Sequence, residues 1–166
     1  MTASSTIGSA RSTCTCPRPS VMKSFAPTSK NHMEPSVHTS TATASRMADR
    51  VLLRRYKPHS TINAATIAEN VEARRFLPGP DPEAVIVVIP ENARFALSFV
   101  ENQPWSVLGL DRVTHVLAWV AEGELFQRLK DLHVTDPPPG IHFQVFPHMQ
   151  EAVSWVERIL ATHDLA

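Results

Sequence analysis

Glycine is scarce in this chain, with five among 166 residues, and the four beyond residue 46 (Gly79, Gly109, Gly123 and Gly140) stand apart from one another. Backbone that cradles a pyrophosphate needs grouped glycines, and neither Gly-x-Gly-x-x-Gly nor a Walker arrangement occurs, so classical nucleotide binding is set aside. Cysteine is scarcer still. Cys14 and Cys16 are the only two, which excludes a disulfide framework and fits a reducing, cytoplasmic setting. A structural zinc site wants about four ligands, and His32 and His38 do not complete the pair at a recognisable spacing. The remainder of the chain has no cysteine nucleophile and no Gly-x-Ser-x-Gly elbow. Ser98, Ser106 and Ser154 fall in helical patterns, where a hydroxyl is ordinary. Long apolar runs are missing too: Ala84 to Pro90 and Val116 to Ala121 are the densest, well short of the roughly 18 residues that cross a bilayer. The expectation is a soluble protein without catalytic motif, cofactor or metal, and not an enzyme.

Net charge is zero, with 16 Lys and Arg against 16 Asp and Glu, but the balance is uneven along the chain. Residues 1–46 carry five bases and one acid, and residues 47–166 carry 11 bases and 15 acids. The first segment also holds ten Ser, eight Thr and four Pro, a composition that buries too little apolar surface to offset the entropy of ordering. It reads as a disordered basic leader, and three origins stay open: a plain tail, an extension upstream of a true start at Met47, or a transit peptide that would send the protein to an organelle. Residues 47–166 suffice for one domain. Specific nucleic-acid binding would need a basic face, and this body is acidic, with Arg54-Arg55-Lys57 and Arg74-Arg75 as its basic groupings.

The body alternates between two periodicities. Val51 to Tyr56 is β-prone; Ile62, Ala65, Ile67, Ala68, Val71 and Phe76 suit a helix capped at Ser60 or Asn63. Ala84 to Ile89 reads as a strand covered on both faces. Asn92 is placed to cap a helix through Ala93, Phe95, Ala96, Phe99 and Val100, resuming around Trp105 to Leu110. Val113 to Ala121 is another apolar strand, followed by a helix from Gly123 with Leu125, Phe126, Leu129 and Leu132, ended by Pro137-Pro138-Pro139-Gly140. Ile141 to Phe146 and a final helix with Ala152, Val153, Val156, Ile159 and Leu160 complete the pattern. Such alternation means an α/β fold with a parallel or mixed sheet.

Among chemistry-bearing side chains, His133, His142 and His148, with Asp136, crowd into a short stretch but lack the spacing that aims two imidazoles at one ion, and they read as solvent-facing or capping. His115 reads as an end-of-strand residue. Trp119 and Trp155 read as core, as does Trp105.

The closing segment Val145-Phe146-Pro147-His148-Met149-Gln150-Glu151-Ala152-Val153-Ser154-Trp155-Val156 resembles the ending of small bacterial STAS-like proteins, in which a strand ending in Phe enters a helix carrying Glu-Ala-x-x-Trp-Leu. Ile62 to Arg74, Val85 to Ile89, Ala93-Arg94, Val116 to Val120 and Pro137 to Ile141 resemble further parts of those proteins in the same order, so the likeness covers about residues 51–161. It implies the fold of anti-sigma-factor antagonists: a four- or five-stranded mixed sheet with about four helices packed mainly on one face. It also implies a partner-switching function, and the fold is compared with lipid-binding CRAL-TRIO domains. Antagonists carry a phosphorylatable Ser or Thr where the helix after the central strand begins. This chain has Ile89-Pro90-Glu91-Asn92-Ala93-Arg94 there, and Val88 stands where its nearest look-alikes carry Asp, which argues against a phosphorylation switch. What the resemblance leaves is a non-enzymatic regulatory or interaction domain that meets an unidentified protein, or a second copy of itself, through Glu91, Asn92 and Arg94. The alternative is a carrier of a small molecule or lipid, with an apolar pocket of a few hundred cubic ångströms between sheet and helices.

Overall fold

In the computed structural model, residues 35–79, 81, 83–96, 114–134 and 140–163 are described. The apolar runs become strands and the periodic segments become helices, in the order β1 (Ser36–His38), β2 (Ala42–Ala48), β3 (Val51–Tyr56), β4 (Thr61–Ile62), α1 (Ala64–Glu72), a 3-10 turn (Ala73–Phe76), β5 (Ala84–Val88), β6 (Arg94–Phe95), β7 (Val116–Val120), α2 (Gly123–Val134), β8 (His142–Phe146) and α3 (Met149–His163). The main sheet has six strands in the order β1-β2-β3-β5-β7-β8. Its first three strands are antiparallel, β2 and β3 joined by the Asp49-Arg50 turn with a register shift between Arg46 and Ala48; β3, β5, β7 and β8 are parallel, with Leu52 opposite Val85 and Val85 opposite Leu117. Parallel neighbours require crossover connections, and α1 and α2 supply two of them. The two short strands β4 and β6 pair in parallel apart from the main sheet.

Period-two alternation sorts the strands onto two faces. Leu52, Tyr56, Val85, Val87, Leu117 and Trp119 meet Ile67 of α1 and Leu125 and Leu129 of α2. Val51, Leu53, Ile86, Val116 and Ala118 meet Ala152, Trp155, Val156 and Leu160 of α3. Each large side chain so enclosed contributes about 1.5–3 kcal/mol. The chain is therefore a mixed α/β fold, as expected, but the sheet has six strands rather than four or five; of the three described helices, α1 and α2 pack on one face and α3 on the other.

The extra strands correct the expected domain boundary. Residues 36–46, assigned from composition to a disordered leader, supply β1 and most of β2, and residues 33–166 form one unit. Their Ser, Thr and Ala content hid the strands because pairing, not apolar bulk, holds them: Ala42 and Ala44 are buried against β3 while Thr43 and Ser45 alternate outward. Residues 1–34 lie outside the described residues, as do both cysteines, Trp105, Ser98, Ser106, the expected helix resumption around 105–110 and the Pro137-Pro138-Pro139 turn.

Other elements follow the sequence pattern closely. Asn63, one of two expected caps, opens α1: its Oδ1 accepts the Thr66 amide at 2.9 Å and Thr66 Oγ1 accepts the Asn63 amide at 3.0 Å, satisfying two donors that a helix start leaves free. Trp119 and Trp155 are buried, as expected. The helix expected from Asn92 is not formed in its first turn. Arg94 and Phe95 are extended and pair with Thr61 and Ile62, the Arg94 amide donating to the Ser60 carbonyl at 2.9 Å and the Ala96 amide to the Ile62 carbonyl at 3.0 Å. Phe95 alternates inward to pack on Trp119, with ring centroids 6.0 Å apart, and that contact favours the strand over the helical spacing of the same apolar residues.

Candidate functional site

The carboxyl ends of β3, β5 and β7 place three connections side by side: Lys57–Ser60, Ile89–Ala93 and Ala121–Glu122. In the first, His59 has φ of 61°, a left-handed conformation that an imidazole residue tolerates better than most. Its amide donates to Asn92 Oδ1 at 3.2 Å, and Asn92 Nδ2 lies 3.4 Å from His59 Nε2. Asn92 thus ties two turns together instead of capping a helix. Its neighbours Glu91 and Arg94 are exposed.

Beside this loop, α2 begins at Gly123, whose φ of 58° turns the chain sharply out of β7; a Cβ there would lie 3.0 Å from Glu91 Oε1. The close approach brings Glu91 against the start of the helix. Between loop and helix lies an open groove of about 500 Å³ lined by Glu91, Ala93, Arg94 and Phe95 on one side and Glu124, Leu125, Arg128 and Leu129 on the other. Its floor is apolar, from Phe95, Leu125 and Leu129, and its rim carries two carboxylates and two guanidiniums. Arg128 Nη2 donates to Glu124 Oε1 at 2.8 Å; the pair is exposed and one helical turn apart, so it orders the rim without adding much stability. The groove is suited to docking against a surface with its own mixed charges and an apolar centre.

Of the three residues proposed from sequence, the structure brings Glu91 and Arg94 to this groove and turns Asn92 toward His59. Arg128 and Glu124, which share the groove, and His59, which holds the loop, were not singled out. The Glu-x-x-x-Arg spacing of 124 and 128 marks an exposed helical pair, but nothing in one sequence places it opposite Glu91 and Arg94.

The histidines are distributed differently from the cluster drawn from sequence. His148 is exposed at the start of α3, and His133 lies outside the described side chains. His142 instead meets His163, with ring centroids 5.6 Å apart, and His163 meets His115 at 6.3 Å, all three exposed at the amino ends of β7 and β8. Among the described residues, no group of three or more His, Cys, Asp or Glu is placed to hold a metal ion. No described helix is long and apolar enough to cross a membrane.

Between α1 and the sheet, where the carrier reading expects a pocket of a few hundred cubic ångströms, a cavity of about 40 Å³ is lined by Arg54, Tyr56, Ile67, Arg74, Thr114 and Trp119 among others. Two guanidiniums face it among mostly apolar side chains. Compared with family models, with curated proteins and with solved structures, the chain has no significant match.

Proposed function

We propose that this chain is a non-enzymatic, STAS-like interaction domain that acts by protein–protein contact through the groove between the β5–β6 loop and α2. The observation that supports this reading is the groove itself: exposed Glu91, Arg94, Glu124 and Arg128 surround an apolar floor. Charges at such a rim steer and select a partner, and the apolar centre supplies the burial that holds it. The loop is also pre-formed, because β4 pairing, Phe95 on Trp119 and Asn92 on His59 fix it from three sides. A pre-formed loop loses little entropy on docking. The parts of the chain that resemble STAS-like proteins include this loop, where antagonists carry their phosphorylatable residue. A partner protein and a second copy of the chain are both compatible with the mixed charge.

Crosslinking and affinity capture with the full chain, followed by titration of the captured protein, test the reading. Arg94→Glu and Arg128→Glu are expected to weaken the complex at least about tenfold, whereas Arg158→Glu, exposed on α3 at the other face, leaves it unchanged. Equal binding by all three variants would count against this groove.

A further inference from the structure

The docking groove is electrically balanced, and its two signs are sorted along its walls. A Cβ on Gly123 would stand 3.0 Å from Glu91 Oε1, so the loop wall and the helix wall meet at the first residue of α2. From that contact each wall leads from acid to base: Glu91 is followed by Arg94 in the loop, and Glu124 by Arg128 one turn on in the helix. Acids suit the beginning of a helix, where unpaired N–H groups carry partial positive charge, which accounts for Glu91 and Glu124 at this end. All four charged side chains are exposed.

A surface with one sign of charge meets attraction at one end of such a groove and repulsion at the other. The surface that fits has charges running the opposite way, and this chain presents one itself. A half-turn about an axis through the middle of the groove lays the acid end of one copy on the base end of the next, and symmetry repeats the match. The whole chain has a net charge of zero, so two copies approach without long-range repulsion.

The floor sets the strength of the contact. Leu129 is 2% and Leu125 9% exposed, so neither has much surface left to bury, and the half-buried Ala93 and Phe95 offer the apolar contact. Glu124 and Arg128 already bond each other, but that bond is exposed and exchanges for one across the interface at little cost. Modest apolar burial ringed by exposed ion pairs makes a weak and reversible complex.

We propose, resting on the docking function above, that the occupant of the groove is a second copy of this chain, related by a two-fold axis in a reversible homodimer. Sedimentation equilibrium of the full chain tests it. The average mass is expected to climb from 18.4 kDa toward twice that value as concentration passes through about 10–100 µM. Two double variants assign the surface: Arg94→Glu with Arg128→Glu makes the groove wholly acidic, and Glu91→Arg with Glu124→Arg makes it wholly basic. Each is expected to stay monomeric alone at about 100 µM and to pair with the other when mixed, because the mixed grooves attract at both ends. A chain that is monomeric up to about 500 µM overturns the homodimer and leaves the groove to a different protein, which the capture experiment above detects separately. Self-association undiminished in both variants, or a mixture that stays monomeric, overturns it as well. Should either variant fail to fold by circular dichroism, salt decides with the unaltered protein: a Kd at least about fivefold weaker in about 0.5 M than in about 0.05 M sodium chloride supports the groove dimer, and a Kd that is constant or tightens overturns it.

Discussion

Asn70 sits where α1 meets the first hairpin and is 1% exposed. Its Oδ1 accepts the Thr39 hydroxyl at 2.6 Å, its Nδ2 donates to Thr41 Oγ1 at 3.2 Å and to the Tyr56 hydroxyl at 3.4 Å, and its carbonyl accepts Arg54. Its side chain therefore satisfies groups from the β1–β2 turn and from β3, and Asn70→Ala would strand them. The expected cost is about 2–3 kcal/mol in urea unfolding. The adjacent Glu69 closes the same junction from outside: Ser40 donates its amide at 2.8 Å and its hydroxyl at 2.5 Å, and these bonds hold the carboxyl below its usual value near 4.5. A carboxylate lowered in this way gives stability that is complete above its unfolded value and is lost as pH falls through the lower folded value. Glu69→Gln is expected to lower the urea midpoint at neutral pH and to converge with the unaltered protein below that range; parallel curves down to about pH 2.5 would remove Glu69 from the acid limb. None of these roles is legible from residue type. Asn70 and Glu69 fall in a helical pattern as ordinary polar positions, and only the arrival of Thr39 and Ser40 from the turn between β1 and β2 gives them partners.

At the scale of elements, most of the fold can be read from periodicity. The strands β3, β5, β7 and β8 and the helices α1, α2 and α3 fall within the expected segments because each presents a strong apolar pattern to a core face. β1 and β2 escaped because pairing with β3 makes strands of small, polar residues that carry no such pattern. β6 escaped for the opposite reason: its apolar residues satisfy helical spacing, and the choice is made by Trp119 and β4, far away in sequence. The hairpin also bears on Met47, which lies inside β2. A chain beginning at Met47 would lose β1 and most of β2 and bare the edge of β3, a template for pairing with other chains. It is expected to aggregate or to unfold without cooperativity, while a chain beginning at Met33 retains the full sheet; light scattering and thermal unfolding of the two distinguish them. At the start of α2, Gly123→Ala would place a side chain in a left-handed conformation and crowd Glu91. A loss of about 1 kcal/mol is expected from denaturant midpoints.

The whole molecule divides its core between two faces, and the loop that carries the candidate site rides on one of them. Among the described elements, α3 alone covers the other, so the residues it buries bear unequal weight. Val156→Asp, which drives a charge against Val51, Ile86 and Val116, is expected to abolish cooperative unfolding, whereas Ser154→Asp on the exposed side of the same helix should shift stability by less than about 0.5 kcal/mol. The position of the docking groove was partly legible at this scale: two of its residues were named from the loop after β5, because the resemblance to STAS-like proteins aligns that loop with the antagonists' phosphorylatable position. Its other wall was not, since α2 reaches the loop through the sheet rather than along the chain. The buried guanidiniums were less legible still. Arg54-Arg55 reads as a solvated pair, and strand alternation sends one of them out to water and the other into the core.

The mixed sheet also sets an order of events in time. β2 and β3 are joined by a two-residue turn, so their pairing closes almost no loop, whereas each parallel partner, Leu52 with Val85 and Leu117 with Phe143, must wait for roughly thirty residues to swing round. A ribosome releases the hairpin first. For the seconds that translation of β5 requires, one side of β3 is already protected by β2 and the other stands open. The small polar strands at the amino end therefore act as a guard on the nascent chain, halving the exposed template on which every later strand assembles.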